Sequence, residues 1–307
     1  MNKVLLATEK PFAPAAANQI AEILEKAGYL VQRLEKYTSK AELLDAVKDV
    51  HAMIVRSDIV DREVLDAAKE LKVVVRAGSG FDNLDLVTCT EKGIVAMNTP
   101  GQNSNAVAEL AIGMMIFMSR GQFKGISGTE LKGKTIGVYG CGNIGRRVAR
   151  IAQGLGMRVV ALDPCITKVS MEPYDVKVVQ DVTELFSSSD YLSLHIPANE
   201  KTKKSVNFEL MSKMPKGATI INTARKEVID EDGLKKILEA RPDFKYISDI
   251  APACHEELVG KFDYRYYSTP KKQGAETAEA NVNAGVAAAE QIVAFFESND
   301  QTYRVNR

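Results

Sequence analysis

The hexapeptide Gly140-Cys141-Gly142-Asn143-Ile144-Gly145 has the clearest chemical meaning in the chain. It follows an apolar run, Ile136 to Tyr139, and opens a helical stretch, Arg146 to Gly154. An acid, Asp163, ends the next apolar run eighteen positions after Gly145. Each glycine has a task in binding a dinucleotide. Gly140 permits a tight turn, Gly142 lets the backbone approach a pyrophosphate, and Gly145 lets helix and strand meet closely. The helix start, with Asn143 and Ile144, offers unpaired N–H groups and the positive end of a dipole. A carboxylate at Asp163 would accept hydrogen bonds from ribose hydroxyls and repel a 2′-phosphate, so the expected cofactor is NAD rather than NADP. The alternative is a structural glycine turn with Asp163 as a loop cap.

A second group lies near the N-terminus. Arg56, followed by Ser57, and Arg76 each end an apolar run. Arg76 opens the loop Arg76-Ala77-Gly78-Ser79-Gly80, whose glycines would expose backbone N–H groups as a nest for a carboxylate. Two arginines at strand ends suggest a second anionic group on the ligand, such as a phosphate. The alternative is that each arginine pairs with a nearby acid, Asp58 or Asp82.

These residues need a scaffold. Val4 to Ala7, Ala52 to Val55 and Leu71 to Val75 read as strands, with helices at Ala15 to Ala27 and Val64 to Lys69. Short apolar runs bounded by turn residues suit parallel strands buried on both faces. Ala106 to Met118 reads as a nearly all-apolar, buried helix, and Arg120 to Gly133 as a crossover loop. A second series follows, with strands at Thr135 to Tyr139, Arg158 to Leu162, Tyr191 to Leu194, Thr219 to Asn222 and Tyr246 to Ile250. A last helix covers Ala278 to Phe296. Strand–helix alternation of this kind predicts an α/β protein with parallel sheets.

Bulk properties narrow the function classes. Forty basic residues balance forty acidic ones in 307, so no net field favours nucleic acid or membrane. No apolar stretch is long enough to span a bilayer. Cys89, Cys141, Cys165 and Cys254 lie far apart without a CxxC pair, so neither a metal site nor a disulfide is expected and a reducing cytoplasm is the default.

The order of motifs resembles the D-2-hydroxyacid dehydrogenases. It includes Gly140 to Gly145, Asp163-Pro164, His195-Ile196-Pro197, Asn222-Thr223-Ala224-Arg225 and Thr269-Pro270 with Gly274-Ala275. Val55-Arg56-Ser57, Arg76 to Asn83 and Asn98-Thr99-Pro100-Gly101 look like the branch of that family that oxidises phosphoglycerate. The resemblance implies two Rossmann-like, doubly wound parallel-sheet domains with a cleft between them. Residues 1–100 plus 276–307 would form the substrate-binding domain and 101–275 the NAD-binding domain. It adds Pro164, His195, Ile196, Pro197, Thr202, Thr223, Ala224, Asp249, Gly274 and Ala275 to the cofactor site. It implies a small phosphorylated 2-hydroxy acid as substrate and a homodimer as the assembly. The chain stops at Arg307, so the regulatory domains of longer relatives, and inhibition by serine through them, are not expected.

The resemblance makes Arg225 the cation that holds the substrate carboxylate and polarises the C2 oxygen. Its planar fork can grip two oxygens and never deprotonates. The alternative for Arg225 is a surface salt bridge. The base departs from the family pattern. A histidine is expected after Thr269-Pro270, yet the segment reads Lys271-Lys272-Gln273-Gly274-Ala275. The partner glutamate is also missing after Asp249. Aligning on Gly274 puts Lys272 in the histidine's place as general acid/base, with burial expected to lower its pKa. Lys271 or His255 are the alternatives. Glyoxylate or hydroxypyruvate reduction is a second reading of the scaffold. A non-catalytic NADH-sensing corepressor is a third.

Overall fold

A computed structural model describes residues 1–165 and 176–306. It divides into two compact units, Met1–Asn103 with the C-terminal residues from Thr277, and Ser104–Glu276.

The first unit runs β1 (Lys3–Thr8), α1 (Pro14–Lys26), β2 (Leu30–Glu35), α2 (Lys40–Ala46), β3 (Ala52–Val55), α3 (Arg62–Ala67), β4 (Val73–Arg76), α4 (Leu86–Glu91) and β5 (Val95–Asn98). Its sheet is parallel, in the order β2-β1-β3-β4-β5. Alternate residues of one strand enter different cores, which is why the strands read as unbroken apolar runs. Leu5, Ala7, Met53, Val55 and Val74 join one cluster, and Val4, Leu6, Ile54, Val73 and Val75 the other.

The second unit begins with α5 (Ser104–Ser119) and continues through β6 (Thr135–Tyr139), α6 (Asn143–Gly154), β7 (Arg158–Leu162) and β8 (Lys177–Val178). Then come α7 (Val182–Ser188), β9 (Tyr191–Leu194), α8 (Phe208–Ser212), β10 (Thr219–Asn222), α9 (Glu231–Ala240), β11 (Lys245–Ser248), α10 (His255–Leu258) and β12 (Tyr266–Ser268). Its parallel sheet has the order β12-β11-β10-β9-β6-β7-β8. The chain then returns to the first unit as α11 (Ala278–Ser298), which packs on α1 and contributes Ala284, Ala288, Ala289 and Ile292 to that core.

Both sheets reverse their winding once, between β1 and β3 and between β6 and β9. Such switch points open a crevice beyond the strands' C-terminal ends. The α/β architecture with two parallel sheets is the one expected. Four strands had no sequence expectation: β2, β5, β8 and β12. The expected strand from Leu71 starts at Val73, and the one ending at Ile250 stops at Ser248. Among the described residues no helix is long and apolar enough to cross a membrane.

Candidate active site

The turn after β6 is shaped by its glycines. Gly140 has φ +89°, and an added Cβ would meet the His195 carbonyl at 2.8 Å. A Cβ on Gly145 would lie 2.1 Å from the Gly140 oxygen, so α6 can press on the turn only if this residue is glycine. Gly142 differs: nothing lies within 4 Å of its Cβ position. It is the N-cap of α6 and no side chain caps that helix, whereas Asp61, Asp85, Asp181, Asn207 and Thr277 cap others. The three glycines therefore provide a turn, an open space and a close contact. Asn143 is exposed and Ile144 half-buried at the helix start.

A paired experiment separates these tasks. Gly142→Ala is expected to fold with stability within about 1 kcal/mol of the parent and to bind NADH at least about tenfold more weakly. Gly145→Ala should lose clearly more stability, on the order of 1–3 kcal/mol, because backbone must move. Thermal melts with NADH fluorescence titration read both. A Gly142→Ala chain with full NADH affinity would remove the cradle.

Asp163 is anchored at the end of β7. One carboxylate oxygen accepts from Cys141 N at 2.7 Å and the other from Cys165 N at 2.8 Å. The side chain is thus fixed against the glycine turn and remains half-exposed, with Pro164 exposed beside it. Cys141 is buried, and desolvation pushes its thiol up to about 11.

The neighbouring strand ends carry two buried polar atoms without a protein partner, His195 Nδ1 and Thr223 Oγ1. They leave adjacent strands, because Leu194 of β9 pairs with Asn222 of β10. His195 Nε2 lies 2.9 Å from Ser193 Oγ. Burial pushes the imidazole well below its ordinary value, so the ring is neutral at working pH. Ile196 is buried in the core, Pro197 is exposed, and the Thr202 hydroxyl closes the following turn by donating to the Pro197 carbonyl. An open glycine cradle, uncapped helix amides and sealed polar atoms at one strand edge fit a dinucleotide.

Arg225 stands just past β10. Asn222 shapes its turn: its Oδ1 accepts from Ala224 N at 3.0 Å and its Nδ2 donates to the Arg225 carbonyl at 3.0 Å. Arg225 itself is half-buried, and its Nη1 donates to the Ala224 carbonyl at 3.0 Å. Among the described residues no carboxylate pairs with it, so the salt-bridge alternative is not what the structure shows.

The loop after β12 is latched from β11. Buried Asp249 accepts from Thr269 Oγ1 at 3.0 Å, Gln273 N at 2.8 Å and Gly274 N at 2.8 Å. Gly274 is required there, since its Cβ would come within 2.9 Å of Asp249 Oδ2. Lys271 and Lys272 are both exposed between these anchors, so the burial expected for Lys272 is not seen; Ala275 is half-buried. His255 Nδ1 lies 2.6 Å from the Tyr266 hydroxyl, which engages that nitrogen.

In the first unit, the Arg56 guanidinium donates to the carbonyls of Lys10 and Pro11, each at 3.1 Å, and to Asn281 Oδ1. Asp58 instead accepts from Glu9 N, the Tyr37 hydroxyl and Arg56 N. Arg76 Nε donates to the Arg56 carbonyl at 2.9 Å. Its guanidinium folds over Gly78, where a Cβ would collide with Nη1 at 1.5 Å. Ala77 and Gly78 are buried, Ser57 is exposed, and Ser79 Oγ donates to Asn103 Oδ1. Sequence reasoning left out Asn222, Tyr246 and Asn281 as site-shaping groups. Asn222 stood inside a quoted motif; the others gave no local signal.

Residues 107–258 match the family model "D-isomer specific 2-hydroxyacid dehydrogenase, NAD binding domain". The chain belongs to the D-2-hydroxyacid dehydrogenase family. A crystal structure of NAD+-bound 3-phosphoglycerate dehydrogenase from Entamoeba histolytica is similar over 100% of this chain and 99% of that one, with 47% identity and a TM-score of 0.89. A D-3-phosphoglycerate dehydrogenase of Methanocaldococcus jannaschii is 37% identical over 88% of this chain and 54% of its own length. A hydroxypyruvate reductase of Thermotoga maritima is 36% identical over 84% and 88%. The chain thus spans about half the length of the curated phosphoglycerate dehydrogenases it matches.

Proposed function

We propose that the protein oxidises 3-phospho-D-glycerate to 3-phosphohydroxypyruvate with NAD, the first step of serine biosynthesis. The observation that carries the chemistry is the turn at Arg225: a guanidinium on a backbone turn clamped by Asn222, past the end of a strand in the same sheet as the glycine turn, with no acid to neutralise it among the described residues. The likeness to phosphoglycerate dehydrogenases supports the choice of substrate.

The residues divide the work. The amides of the Gly142 turn would hold the pyrophosphate, Asp163 the ribose, and His195 and Thr223 the remaining polar edge. Pro164, Ile196, Pro197, Thr202, Ala224, Gly274 and Ala275 would line the same site, and Asp249 would support it through its latched loop. Bound NAD supplies the hydride acceptor. Arg225 would bind the substrate carboxylate and draw electron density onto the C2 oxygen as the carbonyl forms. Lys272 Nζ, as the uncharged amine, would take the C2 hydroxyl proton in oxidation and return it in reduction. The first unit would bind the substrate's phosphate with Arg56, Ser57 and the Arg76–Ser79 loop, whose arginines are oriented by carbonyl and amide oxygens.

Pure full-length protein mixed with NADH and phosphohydroxypyruvate should consume the reduced nicotinamide. The specific rate should exceed that with hydroxypyruvate or glyoxylate at equal concentration. The reverse order would favour the reductase reading, which the Thermotoga maritima relative supports. NADH binding without turnover of any of the three would make the protein a sensor and overturn the enzyme reading.

A further inference from the structure

We propose that Tyr246 is a positioning residue for Arg225, acting through Asn222; this rests on Arg225 being the carboxylate grip. Tyr246 is fully buried in β11, in a cluster built mainly of aliphatic side chains such as Leu194, Ile220, Leu234 and Leu238. Phenylalanine would fill the same space. A hydroxyl in such surroundings is costly unless it is bonded, so its presence calls for a polar partner. The Ser248 side chain hydrogen-bonds the Tyr246 hydroxyl, and Asn222 Nδ2 donates to it at 3.2 Å.

That contact completes the satisfaction of the Asn222 side chain. One amide hydrogen goes to the Arg225 carbonyl, the other to Tyr246, and the amide oxygen takes the Ala224 N–H. Asn222 is itself buried. Rotating the amide would break all three bonds, so the turn that presents Arg225 has one arrangement. Without the phenolic oxygen, one buried N–H loses its acceptor, and the amide gains a reason to turn away from the Arg225 carbonyl. The phenol is itself held in place. Its ring stacks on Tyr266 with an interplanar angle of 5° and centroids 6.3 Å apart, and the Tyr266 hydroxyl is tied to His255 Nδ1. The brace therefore runs from half-buried His255 through two stacked tyrosines to the Arg225 turn.

Tyr246→Phe in the full chain tests this, because it removes one oxygen and keeps the ring. The KM for phosphohydroxypyruvate, or for hydroxypyruvate if that is the better substrate, should rise about fivefold. The kcat should fall as well, because Arg225 also faces the charge that grows on the C2 oxygen, and NADH affinity should not move. Amide exchange at Ala224, followed by NMR, should accelerate by a similar factor while global stability stays close to the parent's. A variant that melts earlier with KM and Ala224 exchange unchanged would assign Tyr246 to core packing alone and overturn the proposal. If the parent turns over no 2-keto acid, the enzyme reading fails by itself. The Ala224 exchange comparison then still decides whether the brace exists, with unchanged exchange counting against it.

Discussion

Arg225→Gln is expected to lower kcat/KM for the 2-keto acid by about a thousandfold while NADH affinity stays within about twofold. The size follows from what the fork does. A guanidinium that binds the carboxylate with two parallel N–H bonds and faces the growing charge on C2 oxygen contributes a charge-assisted pair in the ground state and more in the transition state. Glutamine keeps an amide NH2 donor on a side chain two atoms shorter and loses both the charge and the fork. Arg225→Lys keeps the charge and loses the fork, so it should fall between, at roughly a hundredfold. The structure makes the interpretation clean. Arg225 gives one N–H to the Ala224 carbonyl, and its turn is shaped by Asn222 and not by its own side chain. Removing the guanidinium should therefore leave the backbone in place. Steady-state kinetics with a parallel NADH titration checks this. Loss of NADH binding in step with kcat/KM would instead make Arg225 a cofactor residue.

The parts of this site legible in the sequence were those whose requirements are local. Gly140, Gly142 and Gly145 each answer to a turn, an open space or a close contact within a few residues. Strands buried on both faces, such as Val73 to Val75, were legible because a short, unbroken run of β-branched apolar residues suits a strand covered on both sides and little else. Strand β2 was not, because Leu30-Val31-Gln32-Arg33-Leu34-Glu35 lies at a sheet edge and none of its residues is fully buried. Two-residue β8 and three-residue β12 are too short to show a period. The polar clamps were illegible for a different reason. Asn222 meets Tyr246 24 positions away, Asp249 meets Gly274 25 away, and Arg56 meets Asn281 225 away. The side-chain types permit such bonds, but only the fold brings them together. So too the bonds from Gln273 N and Gly274 N to Asp249, which tie down the loop that carries Lys272, have no trace in the sequence.

The loop is where the second large effect is expected. Lys272→Met should abolish turnover in both directions, by about a thousandfold or more, with NADH binding nearly intact. Methionine keeps the unbranched stem and removes the only atom able to accept the proton. In oxidation the amine must accept the hydroxyl proton, and in reduction the ammonium must return it. Oxidation, which needs the uncharged amine, should therefore speed up as pH rises. Reduction, which needs the ammonium, should slow over the same range. Lys271→Met shares the loop and its exposure but should keep most of the activity. The contrast between adjacent lysines guards against a general effect of charge, since each variant loses one positive charge from the same loop. Asp249 bears on the result as well. Its bonds to Gln273 N and Gly274 N hold the backbone on the C-terminal side of Lys272, so a methionine there should leave the loop's path unchanged. A Lys272→Met enzyme that retained most of its turnover would move the proton chemistry elsewhere in the site, with Lys271 as the first residue to try.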